Sequence, residues 1–83
     1  MELFNEVASI INRNKKQMIE IKPQDRLRED LQIDSFDTLM IGCDLEDHFN
    51  ITIDPDEIKN LNMVQDIVDK LEMKLSVFQT VNT

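Results

Sequence analysis

A single glycine, Gly42, and two prolines serve all 83 residues. Tight hairpin turns depend on residues that reach positive φ at little cost, so an all-β fold lacks the turn chemistry it requires. The apolar residues instead recur at helical spacing, and the fold expected is all-α: a small bundle of three longer helices and one short one, with a long loop between the first two. A chain of this length buries roughly 60–65% of its unfolded surface, which makes one domain and leaves little room for a deep enclosed catalytic pocket. One cysteine, Cys43, excludes an internal disulfide, and no Cys/His spacing suggests zinc. With no leader pattern and no apolar run near the ~18 residues of a membrane span, the chain reads as a soluble, cytoplasmic monomer.

The first helix is expected over about residues 2–17, with Leu3, Val7, Ile10 and Ile11 on one face and Phe4 beside them. Residues 18–34 carry Pro23 and isolated apolar side chains (Ile19, Ile21, Leu27, Leu31, Ile33) without a period; they read as a long loop pinned to the helices, with a helical turn near Arg26 to Leu31. The second helix starts at Ser35, read as its N-cap, and runs to Phe49. Phe49, Ile51 and Ile53 alternate like a strand but have no partner strand, so they are read as an extended connector. Asp54-Pro55-Asp56-Glu57 opens a short helix through about Leu61, and Asn62 with Gln65 opens a fourth in similar style. The domain is expected to end near residue 75, with 76–83 as a flexible tail. Expected core residues are Phe4, Val7, Ile11, Leu31, Ile41, Leu45, Phe49, Ile53, Ile58, Val64, Ile67, Val68 and Leu71.

Charge is concentrated in the middle: residues 29–72 hold 13 acidic and 2 basic side chains, against a chain total of −8. Such a surface disfavours a nucleic-acid partner, whose phosphates reward Lys and Arg, and favours a basic protein surface. On a wheel of 100° per residue the second helix has two apolar faces. Ile41, Leu45 and Phe49 form one, assigned to the core. Phe36, Leu39, Met40 and Cys43 form the other, edged by Asp37, Asp44 and Glu46 with Asp47 in its line. An apolar strip with an acidic rim suits protein docking, and a helix buried on both sides would give the same wheel.

Catalytic and metal readings find little support. The only histidine, His48, lies about 20 Å along the helix from Ser35, too far to activate it, and is read as a solvated residue near a helix C-terminus. Asp54 and Asp56 resemble the opening of a calcium loop, but the glycine and final glutamate of such a loop do not follow. Cys43 in an acidic neighbourhood reads as a small apolar filler rather than a nucleophile.

The run Asp30-Leu31-Gln32-Ile33-Asp34-Ser35-Phe36-Asp37-Thr38-Leu39 resembles the attachment site of acyl carrier proteins, in which a serine follows an aspartate at a loop-to-helix junction. Leu45-Glu46-Asp47-His48-Phe49, Ile53 to Asp56, and Asn62-Met63-Val64-Gln65-Asp66-Ile67 are similar to later segments of the same family, so the resemblance reaches about residue 75. It implies that Ser35 receives 4′-phosphopantetheine from coenzyme A through a separate phosphopantetheinyl transferase. It also implies that the chain catalyses nothing itself and carries acyl groups as thioesters between acyl-transferring, ligating or condensing enzymes with basic docking surfaces. Asp34 and Asp37 would flank the serine; Phe36, Leu39, Met40, Cys43, Glu46 and Asp47 would form the recognition face. Three departures stand out: Phe36 where Leu or Met is usual, Gln32 for a common glycine, and Met40 for an acidic residue. They suggest a dedicated lipid or secondary-metabolite pathway rather than housekeeping fatty acid synthesis. An aminoacyl or peptidyl carrier and an unmodified helical adaptor are the alternatives.

Overall fold

Val7, Ile10 and Ile11 are almost wholly buried on one face of α1 (Leu3–Lys15), as their spacing requires. The computed structural model describes residues 3–81, with side chains as far as Leu75. After α1 come α2 (Ser35–Phe49), the one-turn α3 (Pro55–Lys59) and α4 (Val64–Val81). α1 packs on α2 and α4, and α3 lies against α2. The expected four-helix, all-α architecture is what the chain forms. α4 continues in backbone to Val81, six residues past the expected domain end; residues 82 and 83 of the expected tail lie outside the described residues.

The core is larger than the periodic residues alone suggest. Ile21, Leu27, Leu31 and Ile33 of the long loop are buried beside Ile41, Leu45, Ile53, Ile58, Val64, Ile67, Val68 and Leu71, whereas Phe4 and Phe49 are only partly buried against this cluster. At about 1.5–3 kcal/mol per buried aliphatic side chain, the four loop residues are a substantial part of the driving force. Ile19, expected to help pin the loop, is exposed together with Met18. The expected turn is present: the Asp30 and Leu31 N–H groups both donate to the Arg26 carbonyl, at 3.0 and 3.1 Å. Of the expected Phe49-Ile51-Ile53 connector, Phe49 belongs to α2 and Asn50 is its left-handed cap; the connector is residues 51–54, outside any helix or strand, with the Ile53 N–H donating to Glu46 Oε2 at 2.8 Å.

The loop also completes α4. Its first-turn N–H groups need acceptors, and the Asp25 and Pro23 carbonyls take those of Val64 and Gln65 at 3.0 and 2.9 Å. The Asp66 carboxylate reaches back to the Asn62 and Met63 N–H groups. The helix start is thus assembled from loop carbonyls and Asp66, not from Asn62 and Gln65 as expected. Arg28 donates to the Lys59 and Leu61 carbonyls and so holds the loop to the C-terminal end of α3.

Helix ends are closed without glycine. Lys16 and Asn50 adopt left-handed φ of 53° and 55°, and the N–H groups of Gln17 and Ile51 reach back to the Asn12 and Glu46 carbonyls in Schellman-type bonds. Gly42 is used elsewhere: it is buried where α2 meets α3, and a Cβ there would stand 3.1 Å from Ile58 Cδ1. Close packing of α2 on α3 is therefore the role of this mid-helix glycine.

A third left-handed residue, Gln32 at φ 55°, turns the loop into α2. Its carbonyl accepts from Lys15 Nζ at 2.9 Å, and the same ammonium donates to Asp37 Oδ2 at 2.9 Å. Lys15 thereby ties the end of α1, the loop turn and the first turn of α2 together. The pair is largely shielded, with 22% of the Lys15 and 16% of the Asp37 side chain exposed. The Lys15 hydrogen bond holds the Asp37 carboxyl below its usual range; burial opposes it less strongly, and the Asp34 N–H adds a further lowering effect. The Glu57 carboxyl is lowered in the same sense, first by the Asp54 N–H and then by Lys74 of α4.

Two outcomes are expected. Gln32→Gly should raise stability by about 0.5–1 kcal/mol, because relief of a left-handed penalty of roughly 1–2 kcal/mol exceeds the added chain entropy; a urea titration should show a higher midpoint at unchanged slope. Lys15→Met should cost about 1–2 kcal/mol at neutral pH. A depressed folded-state pKa stabilises above the unfolded value and ceases to do so as pH falls through the folded one, so the gap between wild type and Lys15→Met should be constant above about pH 5 and narrow below about pH 4, leaving the part due to the Gln32 carbonyl. Thermal melts across that range read it directly.

Candidate functional site

Asp34, not Ser35, is the N-cap of α2. It sits in extended conformation at φ −93° and ψ −173°, and its Oδ1 accepts from the Asp37 N–H at 2.8 Å while Asp37 Oδ2 accepts from the Asp34 N–H at 3.3 Å. This is a reciprocal capping box built from two carboxylates. A carboxylate accepts more strongly than a hydroxyl and is favoured by the positive end of the helix, so Asp34 takes the position that Ser35 was expected to fill. Ser35 becomes the first helical residue, exposed, with its hydroxyl released from capping.

Beside it opens a groove of about 120 Å³ between the start of α2 and α3, lined by Ser35, Thr38, Leu39, Pro55, Asp56 and Lys59. A smaller hollow of about 40 Å³ continues along α2 past Gly42 and Cys43 to Ile53 and Ile58. α3 is held in place by its own capping box, in which Asp54 caps and Glu57 reaches back to the Asp54 N–H, and by Lys74 at 3.1 Å from Glu57. The carboxylate of Asp54, considered above as a calcium ligand, is thus engaged as a helix cap.

The wheel's two faces are real and unequal. Ile41 and Leu45 are buried; Phe36, Leu39 and Met40 are 67%, 50% and 41% exposed, and Cys43 is exposed with them. Cys43 therefore fills no gap in the core. The acidic rim is less available than the sequence suggests. Asp37 is bound to Lys15, Asp44 accepts from Asn14 Nδ2 at 2.7 Å with Arg13 at 3.9 Å, and Glu46 accepts the Ile53 N–H. Asp47 is exposed at the far end of the strip. His48 is not simply solvated: its Nε2 lies 2.6 Å from Glu6 Oε1, joining the end of α2 to the first turns of α1, with its ring edge-on to Phe49. Lys15 is the positioning residue that sequence reasoning missed. Its partner is 22 residues away, and no local pattern marks such a pair.

The arrangement fits a serine that bears a charged group on a flexible arm. The Ser35 hydroxyl points from an exposed helix N-terminus, whose dipole and free N–H groups favour a phosphodiester's negative charge, and the adjoining groove offers both apolar and polar walls.

Comparison with known proteins gives the same picture. The family model described as "Phosphopantetheine attachment site" matches residues 2–71. The acyl carrier protein of Micrococcus luteus is 35% identical over 72 residues, covering 86% of this chain and 89% of that protein. That of Myxococcus xanthus is 36% identical over 69 residues, covering 82% and 87%. A solved structure of a candidate acyl carrier protein from Mycobacterium tuberculosis superposes with a TM-score of 0.77 over 93% of this chain and 99% of that one; at 23% identity it speaks to the fold alone. With the serine-bearing helix start, the groove and these relatives in view, the chain belongs to the acyl carrier protein family, whose prosthetic group is covalently attached 4′-phosphopantetheine.

Proposed function

We propose that Ser35 carries the 4′-phosphopantetheine arm and that the chain conveys acyl groups as thioesters between enzymes without catalysing a step itself. The observation that carries this reading is the release of the Ser35 hydroxyl: Asp34 caps α2, so the serine oxygen is exposed at the helix N-terminus and open to a transferase. When attached, the arm supplies a terminal thiol that holds the acyl group. The chain's own residues do the rest. The α2 dipole favours the phosphodiester charge, the Asp34–Asp37 box keeps Ser35 at a fixed helix start, and the groove walls Leu39, Pro55 and Lys59 flank the base of the arm.

The partner face in this reading is Phe36, Leu39, Met40, Cys43 and Asp47, with Asp34, Asp37 and Glu46 shaping it from positions where their carboxylates are internally bonded. The partners are a phosphopantetheinyl transferase and enzymes that transfer, ligate or condense acyl groups. The enlarged apolar strip, with Phe36 and Met40 both exposed, favours a dedicated lipid or secondary-metabolite pathway over general fatty acid elongation.

Intact-mass measurement tests the reading. Purified protein incubated with coenzyme A, magnesium and a promiscuous phosphopantetheinyl transferase should gain the mass of one arm, and Ser35→Ala should gain none while melting at the wild-type temperature. A folded wild type that gains nothing would identify an unmodified helical adaptor instead.

A further inference from the structure

We infer that the Lys59 ammonium pairs with the phosphodiester of the arm on Ser35 and draws the first part of the arm along the groove between α2 and α3. The inference rests on Ser35 as the attachment site and goes beyond it by assigning the arm a cation and a direction.

An arm on Ser35 brings a further negative charge into the most acidic part of the chain. From Glu29 to Ile58 the sequence has no lysine or arginine, and Asp34 and Asp37 flank the serine closely. The α2 N-terminus offers only partial positive charge, so a full counter-charge must come from a side chain that is near in space rather than in sequence. Neighbouring cations are engaged elsewhere. Lys15 is held by Asp37 and the Gln32 carbonyl, Arg26 by Asp30, and Arg28 by the Lys59 and Leu61 carbonyls. Lys70 and Lys74 both lie on Glu57, at 3.6 and 3.1 Å. Lys59 differs from all of these. It is exposed, it lines the same groove as Ser35, and among the described residues its ammonium makes no hydrogen bond or ion pair. Its backbone is nevertheless fixed, because Arg28 donates to its carbonyl and α3 is anchored by its capping box and the Glu57–Lys74 contact. A compact ammonium on a flexible four-carbon stem suits a phosphate, which it meets as a point charge. Phe36 and Met40 do not line this groove, whereas Leu39 and Pro55 do. An arm drawn toward Lys59 therefore leaves Ser35 over α3 and keeps Phe36 and Met40 uncovered.

A cycle of four melting curves tests this: wild type and Lys59→Gln, each before and after loading by a promiscuous phosphopantetheinyl transferase, at low salt of about 0.05 M. Loading should raise Tm by about 2 °C or more further in wild type than in Lys59→Gln, the size that an exposed ion pair gives a domain this small. Lys59→Arg should keep the wild-type rise, and about 1 M salt should remove the difference between wild type and Lys59→Gln. Intact mass checks that each loaded sample carries one arm. Loaded wild type gives a second reading that needs no variant: nuclear Overhauser contacts from the Lys59 ε-methylene to the arm protons beside phosphorus. An equal rise in both proteins, or the absence of those contacts, would overturn the inference and leave Lys59 as a cation that suits only the end of α3. Either result on a wild type that has gained its arm leaves the carrier reading standing; a folded wild type that takes no arm overturns both.

Discussion

The Lys15 ammonium is the joint on which the site depends. It sits at the last helical residue of α1, where a positive charge already suits the helix dipole, and reaches both the Gln32 carbonyl and the Asp37 carboxylate. One group therefore holds the left-handed turn that ends the loop and the carboxylate that completes the α2 cap. A charge shielded to this degree is offset by the two acceptors that meet it, the Gln32 carbonyl and the Asp37 carboxylate. Had Asp37 been free, the first turn of α2 would be capped from one side only, and the direction in which Ser35 leaves the helix would be less sharply defined.

The loop is the second organising element. It buries four aliphatic side chains, supplies acceptors to the start of α4 and is held by Arg28 to the end of α3. A nineteen-residue connection of this kind would be anomalous if it were structureless. Here it works as a strap whose inner side belongs to the core and whose outer side, with Pro23, Gln24 and Glu29, faces water.

What the sequence made legible follows from how local each signal is. The longer helices are legible from i, i+3, i+4 spacing, and the two faces of α2 separate correctly because a helix wheel needs no tertiary information. The α3 capping box was visible for the same reason: all its members lie within four residues. Ile21, Leu27 and Ile33 read from sequence as anchors but not as core, since isolated apolar residues carry no period. Asp34 and Ser35 are both good cap formers and stand side by side, so choosing between them required the Asp37 contact that only the folded turn shows. The pairings of Lys15 with Asp37, Asn14 with Asp44 and His48 with Glu6 join residues far apart in sequence, and for that reason the acidic rim looked freer than it is.

The capping box has a consequence for how the protein is used. Because Asp34 and Asp37 secure the helix start between them, the oxygen of Ser35 can be esterified or left bare without removing any bond that folding relies on. A phosphodiester at Ser35 would meet the positive end of the α2 dipole only in the folded chain, so an arm placed there would favour the fold and would not strain it.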